Sequence, residues 1–156
     1  AALEGVWARL DAFEPEHLRA QVRASWEREA TVDSAEACRR LLADQMPFHV
    51  ADPEGPLVAE LVAADRVVYR PEVLRHFAAD GEYGMTDLRD ALRGFPKPVL
   101  VLSGAHDRTT DPDSAHELAA LLPHAEEVVF EHSAHMIPAE EPEAFQAALQ
   151  AFLARI

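Results

Sequence analysis

Cysteine is almost missing from this chain of 156 residues: Cys38 stands alone, so no disulfide can close within the sequence. The expected setting is reducing and cytoplasmic. Long hydrophobic runs are missing too, since no apolar stretch approaches the roughly 20 residues that a helix needs to cross a bilayer. The opening segment has neither the basic start nor the apolar run of a signal peptide, and Ala rather than Met at position 1 leads us to expect a processed or split chain. Basic residues are scarce, with 14 Lys and Arg against 28 Asp and Glu and a formal net charge of −14. Such a chain repels phosphate backbones and anionic lipid, which excludes nucleic acid and membrane surfaces as expected partners. Glycine, at 6 residues, is too rare for collagen-like packing, and 49% apolar residues are too many for a disordered chain. What is present suits one globular domain or two small ones.

From Leu3 to about Asp80 the hydrophobic pattern is helical. Leu3, Val6, Trp7, Leu10 and Phe13 recur at three- and four-residue steps, as do Leu18, Val22 and Trp26 after Pro15, a residue suited to a helix's first turn. Asp33 with Glu36 reads as a capping box that opens a helix through Cys38, Leu41 and Leu42 to about Gln45, and Pro47 is expected to break it. The Pro- and Gly-containing stretch PFHVADPEGP reads as a loop, with shorter helices expected over 57–64 and 71–78. The turn-rich ADGEYG closes this half.

The second half changes character. A short helical piece around Leu88 to Leu92 ends at Gly94, and PVLVLS, residues 98–103, is the compact apolar run of a buried strand. Asp111 can cap and Pro112 can start a helix that continues through Leu118, Leu121 and Leu122 to Pro123. EEVVFE, residues 126–131, is a second strand, and Pro142 opens a last helix with Phe145, Leu149, Phe152, Leu153 and Ile156 on one face. Strand, helix, strand, helix implies an α/β fold in which the two strands run parallel and adjacent. Two strands do not make a stable doubly wound sheet, so further strands are expected from another chain or from an earlier half of the same domain.

The carboxyl ends of parallel strands form the ligand edge of such a sheet. Two loops leave strands there: SGAHDRTTDP, with His106, Asp107 and Asp111, and HSAHMIP, with His132 and His135. Only one strand-helix unit separates them, so Asp107 and His135 are expected to meet across adjacent strand ends. A carboxylate bonded to one imidazole nitrogen fixes the tautomer and leaves the other nitrogen to take a proton from a nucleophile. The nucleophile is missing. Ser25, Ser34, Ser103, Ser114 and Ser133 are the only serines, none lies in a G-x-S-x-G elbow, and Cys38 sits within a helical stretch with no base near it in sequence.

The strand leading into Gly104-x-x-Asp107, the helix and strand that follow, and the small-residue turn into His135 ahead of EEPEAF resemble the C-terminal end of an α/β-hydrolase. LLADQMPFHVADP, YRPEVLRHFA and PVLVLSGAHDRTT with VVFEHSAHM are similar to the prolyl iminopeptidase branch of that fold, whose members remove an N-terminal residue, usually proline, from peptides. The resemblance implies a helical cap over residues 1–85 and the C-terminal half of the hydrolase core over 86–156, holding its last two strands and helices. It implies Asp107 as the triad acid and His135 as the general base, with the nucleophilic serine supplied by a separate N-terminal segment of the same hydrolase. The substrate is then a peptide or small molecule, and no metal or organic cofactor is implied. The family commonly has Gly just before the triad histidine, where this sequence has Ala134; a backbone position with positive φ tolerates Ala poorly.

Each residue also has a plainer reading. Asp107 fits a turn after a strand, Asp111 fits a helix cap better than an acid, and His135 fits a solvated loop. His132 with His135 has the spacing of a metal pair, but no third ligand clusters with them. His106 is expected to be exposed, and His49 either lines the substrate cleft or packs within the cap. Trp7, Trp26, Phe13 and Phe48 suit a core. The resemblance implies that one or two cap carboxylates receive the substrate's free amine, for which Glu54 and Glu82 are the candidates. Two other functions share these features: a capped α/β-hydrolase acting on esters, lactones or carbon-carbon bonds, and a catalytically inactive relative used as a binding module.

Overall fold

The computed structural model describes residues 2–64, 67–79 and 87–156. It divides into two compact units, Ala1–Thr86 and Asp87–Ile156. The first holds α1 (Ala2–Asp11), α2 (Glu16–Arg28), a 3-10 turn (Glu29–Thr31), α3 (Ala35–His49), α4 (Pro56–Ala63) and α5 (Pro71–Ala79). The periodic residues of α1 and α2 do what their spacing predicts: Val6, Leu10, Phe13 and Val22 are buried with Phe48, and Trp7, Leu18 and Trp26 pack against them. A second cluster joins Val32, Cys38 and Leu41 to Tyr69 and Leu74.

Three local expectations are corrected in this unit. Pro15 stands one position ahead of α2, as its extended N-cap (φ −79°, ψ 146°), rather than inside the first turn. The cap of α3 is Ser34, whose Oγ accepts from the Ala37 N–H at 3.2 Å, and not Asp33. Either residue type can cap; Ser34 wins because the helix starts one residue later than the Asp33 reading requires. Nor does Pro47 break α3, which runs on to His49. A proline inside a helix costs about 3 kcal/mol. Continuing the helix, however, buries Phe48 completely, with its ring edge-on to Phe13 at 5.2 Å and to Trp26 at 6.0 Å. Burial of a Phe contributes about 1.5–3 kcal/mol and each aromatic pair about 0.5–1.5 kcal/mol more, enough to offset the proline. The predicted loop is therefore confined to the residues after His49. The ADGEYG turn falls on residues 79–84, and beyond Ala79, the last residue of α5, it lies outside the described residues.

The second unit runs α6 (Arg89–Leu92), β1 (Val99–Gly104), α7 (Pro112–Leu121), β2 (Ala125–Phe130), α8 (Ile137–Glu140) and α9 (Pro142–Leu153). β1 and β2 pair in parallel, in register from Val99 opposite Ala125 to Gly104 opposite Phe130. Val101, Ala115 and Leu122 form the core between this pair and α7. Asp111 caps α7 as its position predicts, its Oδ1 accepting from the Asp113 N–H at 3.0 Å. The short α8 is not foreshadowed by the hydrophobic pattern. The face of α9 is amphipathic as expected, yet none of its residues is buried, and Leu149, Leu153 and the following Ile156 are exposed, as is Val129 of β2. Among the described residues no helix is long and apolar enough to cross a membrane.

Candidate active site

Both strands end at one edge, and the chain leaves β1 and β2 there in two loops that are stitched together. The Ala105 N–H donates to the Phe130 carbonyl and the His106 N–H to the Ser133 carbonyl, each at 2.9 Å. Gly104 makes this approach possible. A Cβ at position 104 would stand 2.1 Å from the Ala134 carbonyl oxygen and 2.5 Å from that of Ser133, far inside contact distance. Gly104→Ala is expected to push the 133–135 backbone away and to cost on the order of 1–3 kcal/mol, as overpacking does. Urea unfolding of the two proteins measures this, and an unchanged midpoint would show that the loop yields freely.

Within the first loop Asp107 is buried, and its Oδ1 accepts three bonds from its own neighbours. These come from the Thr109 N–H at 2.8 Å, the Thr109 hydroxyl at 2.7 Å and the Thr110 N–H at 2.9 Å. With Oδ1 saturated, Oδ2 faces His135 Nδ1 at 2.9 Å. Thr109 Oγ1 lies 2.8 Å from the same nitrogen. The Thr109 hydrogen already goes to Asp107, and an ionised carboxylate only accepts, so Nδ1 carries the proton and donates to both oxygens. Nε2 is then the basic nitrogen. The His135 side chain is 42% exposed against 8% for Asp107, so the carboxylate is enclosed while the imidazole is partly open to solvent.

Electrostatics follow the geometry. The hydrogen bond from Nδ1 to Asp107 raises the His135 pKa; burial works against it, and the charges of Asp107 and Glu140 add to the rise. Burial pushes the Asp107 carboxyl up, but the bonds from His135, Thr109 and Thr110, with the attraction of the imidazolium, together hold it below its ordinary value. The raised histidine contributes stability in full below its unfolded pKa, about 6.5, and loses it as pH climbs through the folded value. The depressed carboxyl contributes above its unfolded pKa, about 4, and loses it as pH falls through the folded value. We expect the stability difference between the native chain and Asp107→Asn to be largest between about pH 4 and 6.5 and to shrink on either side. Denaturant unfolding across pH checks it, and a difference that grew as the solution became alkaline would contradict the charged pair.

The sequence matches the alpha/beta hydrolase fold family over residues 12–142. The chain belongs to that family. A 68-residue segment is 44% identical to a proline iminopeptidase of Levilactobacillus brevis, covering 44% of this chain and 22% of that protein. Among solved structures, 2-hydroxy-6-oxo-6-phenylhexa-2,4-dienoate hydrolase from Rhodococcus sp. strain RHA1 is 27% identical, with a TM-score of 0.60 over 74% of this chain and 44% of that one. MenH from S. aureus superposes with a TM-score of 0.66 at 20% identity, over 92% of this chain and 55% of that one. The chain thus spans about half the length of these two solved structures, and the matched segment spans less of the iminopeptidase.

Among the residues that sequence singled out in this α/β-hydrolase family member, the structure brings Asp107 and His135 together within the second unit. His106 and His132 are exposed, and Asp111 caps α7. His49 Nδ1 lies 3.0 Å from the Gln45 carbonyl within α3, and Glu54 lies 3.7 Å from His17 on the surface of the first unit. Glu82 lies outside the described residues. Cys38 is buried, and burial first, then Glu72, raises its thiol pKa against the pull of Arg75, which makes it a poor nucleophile. Ala134 causes no strain: among the described residues no non-glycine has positive φ, so the backbone before His135 does not need glycine. Thr109 escapes the sequence patterns used above. Its signal is a hydroxyl residue two places after an aspartate at a strand exit, the pattern of a side chain folded back on its own turn.

Proposed function

We propose that this chain is the C-terminal part of a serine hydrolase of prolyl iminopeptidase type, which releases an N-terminal residue, proline by preference, from peptides. The observation that carries the reading is the Asp107–His135 contact at the carboxyl ends of parallel strands, with Nδ1 engaged and Nε2 left basic. His135 takes the proton of a serine hydroxyl as that oxygen attacks the peptide carbonyl, then returns it to the leaving amine, while Asp107 holds the imidazole and offsets its charge. The serine and the amides that stabilise the oxyanion belong to a segment outside these 156 residues. The exposed Val129 and the unburied face of α9 fit a sheet completed by that segment, since two strands alone are marginal. The first unit, helical through α5 at Ala79, plays the part of the cap assigned to residues 1–85. Preference for an N-terminal proline rests on the similarity to the Levilactobacillus brevis proline iminopeptidase.

A second reading has an observation of its own: the 27% identity to the Rhodococcus dienoate hydrolase favours carbon-carbon or ester hydrolysis with the same acid and base. A panel of aminoacyl anilides and short acyl esters, offered to the complete enzyme, separates the two. Hydrolysis of prolyl anilide ahead of the esters is expected. Ester turnover with no anilide turnover would move the assignment to the second reading.

A further inference from the structure

The loop that carries His135 is held from behind by two neighbouring carboxylates at the junction of α8 and α9. Glu140 Oε2 accepts from the Ala134 N–H at 2.9 Å and from the Met136 N–H at 3.1 Å, the two amides on either side of His135. Glu141 Oε2 accepts from the Ser133 hydroxyl at 2.6 Å and from the His132 N–H at 3.1 Å. Ser133 and Ala134 are fully buried, so these donors would be costly to leave unpaired. Four donors from five consecutive residues thus end on two side chains only five and six places downstream of His135.

We propose that Glu140 is a positioning residue for His135: by accepting the amides that flank it, the carboxylate sets where the imidazole stands opposite Asp107. This rests on the hydrolase reading above only for its catalytic consequence. The short α8 is what makes the arrangement possible. Its single turn brings residue 140 back over the turn at Met136, whose carbonyl accepts from the Ala139 and Glu140 N–H groups at 2.8 and 3.0 Å. Glu141 closes the same turn, its N–H donating to the Ile137 carbonyl at 2.9 Å. A carboxylate accepts more strongly than a neutral group, and this one also adds its charge behind the imidazole. Among the described residues the ionised groups that face His135 include Asp107 from the β1 loop and Glu140 from α8, with the Arg108 guanidinium in the field of both. Thr109 adds an uncharged contact at Nδ1.

Two substitutions separate anchoring from charge. Glu140→Gln keeps an acceptor oxygen where both bonds end and removes the charge; Glu140→Ala removes both. Glu143→Gln, at an exposed carboxylate in the first turn of α9, controls for the loss of any one negative charge. The readout is the titration of His135 and its Nδ1–H resonance in the full chain labelled with 15N-histidine, beside the kinetics of the complete enzyme. With Glu140→Gln the titration midpoint should move to lower pH while the Nδ1–H resonance persists. With Glu140→Ala the resonance should be lost and kcat should fall about 100-fold with KM little changed, as a misplacement of about 1 Å does; Gln should restore most of that rate. Glu143→Gln should leave all three readouts alone. A native midpoint and resonance in Glu140→Ala would overturn the proposal, whatever the kinetics. A shifted midpoint in an enzyme whose turnover is indifferent to His135 itself would support the positioning and sink the hydrolase reading instead.

Discussion

If the proposed hydrolase reading holds, His135→Ala is expected to abolish nearly all turnover of the complete enzyme, by a factor on the order of 10⁶, while KM stays close to the native value. The factor is the loss measured when the histidine of a comparable serine-histidine-aspartate site is removed. The physical reason is that proton transfer from serine to Nε2 is made in the transition state and not in the bound substrate, so binding barely senses its absence. His132→Ala is the paired control. His132 is exposed, and what it gives the structure is its backbone N–H to Glu141, which alanine also supplies. Steady-state kinetics on both variants of the complete enzyme decide the matter: a large loss at His132 with little at His135 would reassign the base.

On the same reading, Asp107→Asn is expected to cost about 10⁴ in turnover, the effect of the same change in a serine-protease triad. Here the cause can be followed atom by atom. An amide in place of the carboxylate presents an NH2 group as well as an oxygen, and Oδ1 of Asp107 is the acceptor of three bonds from Thr109 and Thr110. The amide oxygen therefore stays with those donors, and its NH2 faces His135. Nδ1 must then accept, the proton moves to Nε2, and the base is in the wrong tautomer. Asp111→Asn, four residues on, changes little, because Asn caps a helix as well as Asp does and Asp111 serves α7. Kinetics on the two variants with one aminoacyl anilide give the comparison; equal, small losses would dismiss the triad reading.

Asp107 and His135 are legible in the amino-acid sequence because strand-exit loops separated by one strand-helix unit must open on the same edge, and 28 residues is the length of that unit. What is not legible depends on contacts that leave no periodic trace. Thr109 looks like any loop threonine until its hydroxyl is seen between the Asp107 carboxylate and the imidazole. Glu140 and Glu141 read as acidic residues around a helix's first turn, which is where such residues belong anyway. Pro47 misleads because local preference is decided residue by residue, whereas the burial of Phe48 is decided by α1 and α2. Ala134 misleads in the opposite direction: the resemblance implies glycine there, but among the described residues no non-glycine backbone has positive φ.

The three bonds that hold Asp107 Oδ1 all come from within three residues of it, whereas its contact with His135 is made across 28. Closing a loop of two or three residues confines far less chain than closing one of that length. The two halves of the pair therefore have unequal resistance to local opening. When the His135 loop lifts from the sheet edge, the aspartate keeps its cradle and waits in its working orientation, so the site is remade by the return of one loop rather than by a joint search of two.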